Sequence, residues 1–324
     1  MDNKYNKFLR RTDLVTNQLE RNRIREQQAA TSRSKTIQQQ NAKRYADYQR
    51  VLRTELEARW FHNVLSTGGG VATIDIDPDA QAFITAAAIT DPTQQAAINT
   101  LVVDLKGYSI WTKMKALYPM VGGTNAQHTW NLKNTAQFQI SWVGGATSSA
   151  NGVQFNGMNS YGNTGFNIST QTNLNDFHFS FYSRVHSAVN SIDIGASTDS
   201  VLNYYIIQCT GTTTYNIINE SSTAGTFPNF ADNDTRGLYL GTRNGTVVNA
   251  WKSGVKKATK SPATTAARPN QPVYIGAWNA LGTPSFYSAK QLAFSSIGDG
   301  LTDTEAANFY TAVQAFQTTL GRNV

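Results

Sequence analysis

From residue 177 to residue 298 apolar and polar residues alternate in short runs, with no helical stretch between them. The runs are FHFSFYSRV (177–185), SIDIGA (191–196), YYIIQC (204–209), YNIIN (215–219), GLYLGT (237–242), VVNAWKSG (247–254), PVYIGAWN (272–279) and KQLAFSSIG (290–298). A period of two sends alternate side chains to opposite faces of a strand, so each run offers one face to a core and one to water. Short strands at this spacing, separated by turn residues and lacking crossover helices, fold as an antiparallel sandwich or barrel. Arg243-Asn244-Gly245 is a strong hairpin signal within the set.

The period changes on both sides of this region. After it, LTDTEAANFYTAVQAFQTTLGR (301–322) pairs Thr302 with Glu305 as a capping box, lays Phe309, Val313 and Phe316 in a stripe and closes on Gly321, which predicts a helix. Before it, Asp77-Pro78-x-x-Gln81-Ala82-x-Ile84 returns fourteen residues later as Asp91-Pro92-x-x-Gln95-Ala96-x-Ile98. An Asp side chain accepts the orphan N–H groups of a helix start, and a following Pro needs no donor and already holds a helical φ. Each copy therefore opens a helix, the first over about 78–89 and the second over about 92–106 with Gly107 as its C′ residue. The link Ile89-Thr90-Asp91 is short enough to force the helices side by side, and YSIWTKMKALYPMV (108–121) supplies a third surface for their apolar faces.

Residues 1–66 contain neither Gly nor Pro and place Ile37, Tyr45, Tyr48, Leu52, Leu56 and Trp60 at helical spacing. The heptad seam fails after one repeat, where Arg59 and His62 fall on it, so the segment reads as a long helix lying on a partner. Residues 16–36 have too few apolar groups to order alone, and Ser66-Thr67-Gly68-Gly69-Gly70 ends the helix. The net charge of +7 belongs to this part: residues 1–67 carry fourteen Lys and Arg against seven Asp and Glu, and residues 68–324 carry fourteen of each. A basic arm on a neutral body meets an acidic partner only through the arm. The expected organisation is thus 1–66 a basic helical arm for docking and oligomerisation, 67–127 a helical-hairpin joint, and 128–324 a mainly β domain.

The single Cys209 forms no intrachain disulfide and no zinc site built on CxxC pairs. The opening MDNKYNKFLRRTDL lacks the apolar core of a secretory signal, and no window of eighteen apolar residues occurs, so a soluble protein made in the cytoplasm, with no membrane partner, is expected.

Residues from about 128 to 324 resemble a concanavalin A-like jelly roll of the laminin G-like kind, in which VYIGAWN is followed by a loop, a strand KQLAFSSIGDG and a closing helix opening LTDTEAANFY. The segment 77–134 is similar to a stretch recurring in tail and other structural proteins of bacteriophages, placed just before such a sandwich. The resemblance implies a virion protein, in tail, collar or head fibre, whose N-terminal part docks on the particle while the lectin-like sandwich faces outward.

Glucanases on this fold carry an E-x-D-x-x-E strand whose acids serve as nucleophile and general acid. This chain has no such strand: after Glu57 its glutamates are Glu220 and the capping residue Glu305, and Asp193 with Asp199 are the aspartates on or near a strand. No enzyme activity is therefore expected. His62, His128, His178 and His186 stand at no metal spacing, and Asp75-Ile-Asp77-Pro-Asp79 lacks the Gly and Glu of a calcium loop. No metal or other cofactor is expected; Asp232-Asn233-Asp234 offers calcium ligands but also ordinary turn residues. Sugar binding asks for an exposed ring to stack on a pyranose, with Asn, Asp or Arg reaching its hydroxyls. Arg243-Asn244 with Trp251, and Trp278-Asn279, offer that combination. The expectation is a phage appendage that binds a host-surface glycan, docks on other virion proteins through residues 1–66 and assembles as a homo-oligomer, a trimer. Nucleic acid is not expected as its main partner. The alternatives are a decoration or cement protein without sugar binding and, last, a polysaccharide depolymerase.

Overall fold

The computed structural model describes residues 76–198, 204–220, 227–261 and 267–324, and in the N-terminal part the helical residues Gln18, Arg21, Asn22, Arg25 and Gln28. The stripe at 37–60, the Gly68–Gly70 break, His62, Asp75 and Asp199 lie outside the described residues. The chain forms two compact units, Met1–Ile74 and Asp75–Val324, and every strand among the described residues belongs to the second.

Both Asp-Pro copies open helices, α1 (Pro78–Ala86) and α2 (Pro92–Gly107), with Asp77 and Asp91 accepting backbone N–H groups as N-caps. Short helices α3 (Asn125–His128) and α4 (Ile168–Gln171) come next in the chain, and α5 (Asp303–Thr319) starts on the complete Thr302–Glu305 capping box. Gly107 is not the stop of α2. Ser109 takes the left-handed position at φ 60, donating to the Lys106 carbonyl while Ile110 N donates to that of Leu105. Ala88 does the same after α1 at φ 50, and Gly321 after α5 at φ 64. These are three Schellman closures, of which one uses the expected glycine.

Among the described residues the strands are, in order, β1 (Met114–Tyr118), β2 (Ser141–Val143), β3 (Thr147–Ser149), β4 (Gly152–Gln154), β5 (Tyr161–Asn167) and β6 (Asp176–Ser183). Then come β7 (Ser191–Ser197), β8 (Tyr204–Cys209), β9 (Thr213–Glu220), β10 (Asn229–Ala231), β11 (Gly237–Asn244) and β12 (Val247–Lys252). The last are β13 (Val255–Lys260), β14 (Pro272–Ile275), β15 (Trp278–Ala280), β16 (Thr283–Ser285) and β17 (Gln291–Gly298). Eight make one sheet, β13-β12-β11-β6-β17-β4-β3 with β1 added beside β17; nine make the other, β10-β9-β8-β7-β14-β5-β2 with β15 and β16 alongside. The architecture is mainly β, two antiparallel sheets packed as a sandwich. VYIGAWN, expected as one strand, breaks at Gly276 (φ 81), where a Cβ would strike the Phe155 ring, and becomes β14 and β15. The tight β11–β12 turn is Gly245-Thr246, with Gly245 at φ 60.

Three apolar clusters order the layers. Between the sheets lie Phe155, Phe166, Phe177, Phe179, Phe181, Ile194, Tyr205, Ile207, Tyr239, Val273 and Ile275. On the far side of the eight-stranded sheet, Tyr182, Leu238, Leu240, Trp251 and Phe294 pack under Leu101, Leu105, Phe309, Val313 and Phe316 of α2 and α5. The helical hairpin expected as a separate joint over 67–127 therefore shares a core with the sandwich, and β1 pairs with β17. The layers run helices, eight-stranded sheet, nine-stranded sheet. A smaller cluster, Ile192, Ile206 and Trp278, sits on the far side of the nine-stranded sheet. At the free edge of the eight-stranded sheet, β13 carries Lys256 and Lys257, both exposed, and Lys260.

Candidate functional site

The two outer faces of this sandwich differ in kind. Helices seal that of the eight-stranded sheet, and nothing comparable covers the nine-stranded one among the described residues. Strand parity assigns its outward side chains. On β5 the inward residues are Gly162, Thr164 and Phe166, all buried, so Tyr161, Asn163, Gly165 and Asn167 face out. Val273 and Ile275 of β14 face in, leaving Tyr274 outward; Tyr205, Ile207 and Cys209 of β8 face in, leaving Tyr204, Ile206 and Gln208 outward. Cross-strand register then draws one outward row: Ile206 of β8, Gly195 of β7, Tyr274 of β14, Asn163 of β5 and Ser141 of β2. Five strands at about 4.8 Å give a row about 19 Å long.

Aromatic rings flank this row on both sides. Tyr161 lies 4.5 Å from Tyr274 and 6.4 Å from Tyr287, centroid to centroid. Toward β8, Trp278 contacts Tyr204 at 5.6 Å and Phe286 at 6.0 Å, and Tyr215 and Phe227 border the same cluster. Tyr161, Tyr204, Tyr215, Phe227 and Tyr287 are half-buried, each with part of its surface in solvent. Burial raises the hydroxyl pKa of Tyr274 and Tyr287, so these groups stay neutral donors at physiological pH. Polar groups are fixed as well: Asn163 Oδ1 accepts from Gly165 N at 3.0 Å, Asn167 donates to Asn270 Oδ1 at 2.8 Å, and Gln208 donates to Asn190 Oδ1 at 2.9 Å. At Gly195 a Cβ would collide with Ile206 Cγ2 and the Tyr205 carbonyl, so the middle of the row stays low.

The residues expected to bind sugar lie elsewhere or beneath this surface. Arg243 and Trp251 do not meet. Arg243 pairs with Val248, three positions from Trp251, and an odd offset places them on opposite faces of the sheet. The Arg243 guanidinium points between the sheets and donates to the Ile218 carbonyl at 3.0 Å. Trp251 is 7% exposed under the helical layer, and Asn244 is exposed at the tip of the β11–β12 hairpin. Trp278 is 8% exposed, roofed by Tyr204 and Phe286; Asn279 is buried, donating to the Pro272 carbonyl and accepting from Gly282 N, which holds the β15–β16 hairpin. Burial thus removes the open faces that Trp251 and Trp278 were expected to offer. Of the rings that do face outward, Tyr204 and Tyr274 were legible as alternate residues of YYIIQC and PVYIGAWN, whereas Tyr161 lies in YGNTGFN, a strand too polar to stand out in the sequence.

Other candidate groups are built into the frame. Asp193 accepts from Lys290 Nζ at 2.7 Å and Ser288 Oγ at 2.6 Å, with Asp193 and Lys290 side chains wholly buried. Asp232 accepts from Tyr239, Thr214 and Lys252, whose ammonium also donates to the Asp234 carbonyl, while the Asp234 carboxylate pairs with Arg236 at 2.8 Å, so the two carboxylates do not converge. Among the described residues no group of three or more His, Cys, Asp or Glu is placed to hold a metal ion. His178 donates through Nδ1 to the Asp299 carbonyl at 2.6 Å, leaving Nε2 to accept from Ser296, and burial lowers its pKa to about 4. His128 is buried without a hydrogen-bond partner, and burial first, then Arg322, lowers it to about 3. His186 accepts from Thr235 N at 3.1 Å. No described helix is long and apolar enough to cross a membrane.

No family model matches the sequence, and no curated protein matches it. Solved structures with some likeness are a Trypanosoma rangeli sialidase mutant displaying trans-sialidase activity (10% identity, TM-score 0.45, 68% of this chain and 39% of that one) and domain 4 of an extracellular arabinanase from Geobacillus stearothermophilus in complex with arabinotriose (13%, 0.40, 61% and 98%). The binding domain of a paraclostridial mosquitocidal protein gives 12% identity and a TM-score of 0.39 over 62% of this chain and 52% of that one. The chain spans 25% to 39% of the length of the first sialidases it matches.

Proposed function

We propose that this chain is a bacteriophage virion appendage, docked on the particle through residues 1–66, whose sandwich holds a bacterial surface glycan against the open face of its nine-stranded sheet. One observation carries the binding reading: helices seal one outer face, while the other presents half-buried aromatic rings beside fixed amides. A pyranose ring stacks its C–H face on such rings and gives its hydroxyls to amide and phenol groups. The phage setting rests on the resemblance that the sequence of residues 77–134 bears to a stretch recurring in phage structural proteins. Binding without turnover fits a domain in which Asp193 and Asp232 are buried in ion pairs and Glu305 caps a helix. Single contacts of this kind are weak, and assembly as a homo-oligomer, with a trimer as the working state, raises avidity by roughly 10² to 10⁴.

The test is binding of the full chain to glycans from the surface of candidate host bacteria. Tyr161→Ala and Tyr204→Ala are expected to weaken binding about 3- to 10-fold each, the value of one aromatic contact. Trp251→Ala is expected to lower stability without changing the affinity of the folded fraction. Tyrosine variants that bind like the parent overturn the reading. Leu281 and Phe286, 53% and 43% exposed at the β15–β16 hairpin, favour a second reading in which this edge packs on another virion protein as a cement contact. Silence on all glycans from a folded chain would select it.

A further inference from the structure

The nine-stranded sheet is almost devoid of charge. Its strands SWV, YGNTGFN, SIDIGAS, YYIIQC, TTYNIINE, NFA, PVYI, WNA and TPS contain no Lys or Arg, and their acids are Asp193 and Glu220. Asp193 is closed off in its ion pair with Lys290. The neighbouring cations turn elsewhere. Arg243 donates inward to the Ile218 carbonyl, and Arg268 to the carbonyl of Thr172. Lys260 reaches the rim, 5.9 Å from the Phe227 ring, at the far end from Tyr161. Lys252 of β12 and Lys256 and Lys257 of β13 belong to the other sheet.

Resting on the glycan reading above, we infer that the ligand of this face is an uncharged glycan, and that sialylated and uronic-acid sugars are excluded from it. A carboxylate pressed against the tyrosine rings and amides of this row loses water and gains no cation in return, which disfavours its binding. Recognition of a carboxylate uses an Arg fork or a Lys, and the outward row Ile206, Gly195, Tyr274, Asn163, Ser141 holds neither. Phenol hydroxyls and primary amides, by contrast, match sugar hydroxyls as both donors and acceptors. Two behaviours result: discrimination against acidic sugars, and affinity independent of ionic strength, because no counterion is displaced.

The experiment measures the full chain against neutral oligosaccharides and the same oligosaccharides capped with sialic acid or carrying a uronic acid, at low and high salt. The expected result is retention of neutral forms, acidic forms weaker by about tenfold or more, and neutral affinity unchanged by salt. Asn163→Arg is expected to raise affinity for the acidic forms and to make it salt-sensitive. Tighter binding of acidic forms, or a neutral affinity that falls with salt, overturns the inference while leaving glycan binding intact. Absence of binding to every form overturns both.

Discussion

Asp104 is the residue that shows most plainly how packing sets chemistry here. It faces inward from α2 at 3% exposure, and neither carboxylate oxygen has a hydrogen-bond partner. Burial raises its pKa to about 6. The folded protein therefore holds this proton in a range where the unfolded chain has lost it, so the group's contribution to stability is whole below about 4 and is lost as pH rises through 6. Asp104→Asn is expected to stabilise the protein at pH 7 by about 1–3 kcal/mol and to be neutral near pH 4. Urea unfolding of both proteins at the two pH values checks it, and the opposite effect of His128 and His178, whose lowered pKa values cost stability as pH falls below 6.5, cancels in the comparison. None of this was legible in the sequence, where Asp104 is one polar residue among VVDLK. The same limit explains Arg243 and Trp251: alternation reveals that a strand has two faces but not which layer each face meets.

At the scale of elements, much more could be read. Asp77, Asp91, Thr302 and Glu305 do what their spacing announced, because a cap depends on its own few residues. Glu305 is also held by Lys113 at 2.6 Å, a contact 192 residues distant that no local pattern carries. Strands with alternating apolar residues were found to within about two residues at their ends, apart from VYIGAWN, which is two strands, whereas polar β13 and short β2, β3, β10 and β16 gave no signal because their pairing partners define them. Helix ends misled at Gly107. Ala88 and Ser109 sit in the left-handed region that glycine enters without steric cost, and both are exposed. Ala88→Gly and Ser109→Gly are each expected to stabilise the fold by about 1 kcal/mol, read as a rise in the urea midpoint. A fall at either position would mean that the neighbouring closure, Ile89 on Ile84 or Ile110 on Leu105, already compensates the strain.

For the molecule as a whole, the division between hairpin and sandwich does not survive as a division of cores. Removing α1, α2 and β1 would open the cluster that Leu101 and Leu105 share with Phe309, Val313 and Phe316 of α5, and strip β17 of a neighbour. A fragment of residues 76–324 is expected to unfold cooperatively, and one of residues 128–324 to lose cooperativity or aggregate; calorimetry of the pair decides. The site was only half legible for a related reason. Rings and amides are visible in any sequence, but an open face exists only where one layer is left uncovered. The outermost strand of the other sheet has its own consequence. A free strand edge invites a second molecule to extend the ladder, and β13 meets that hazard with Lys256, Lys257 and Lys260 on six residues. At high local concentration, charge on this one strand would keep copies of the chain from zipping into fibrils.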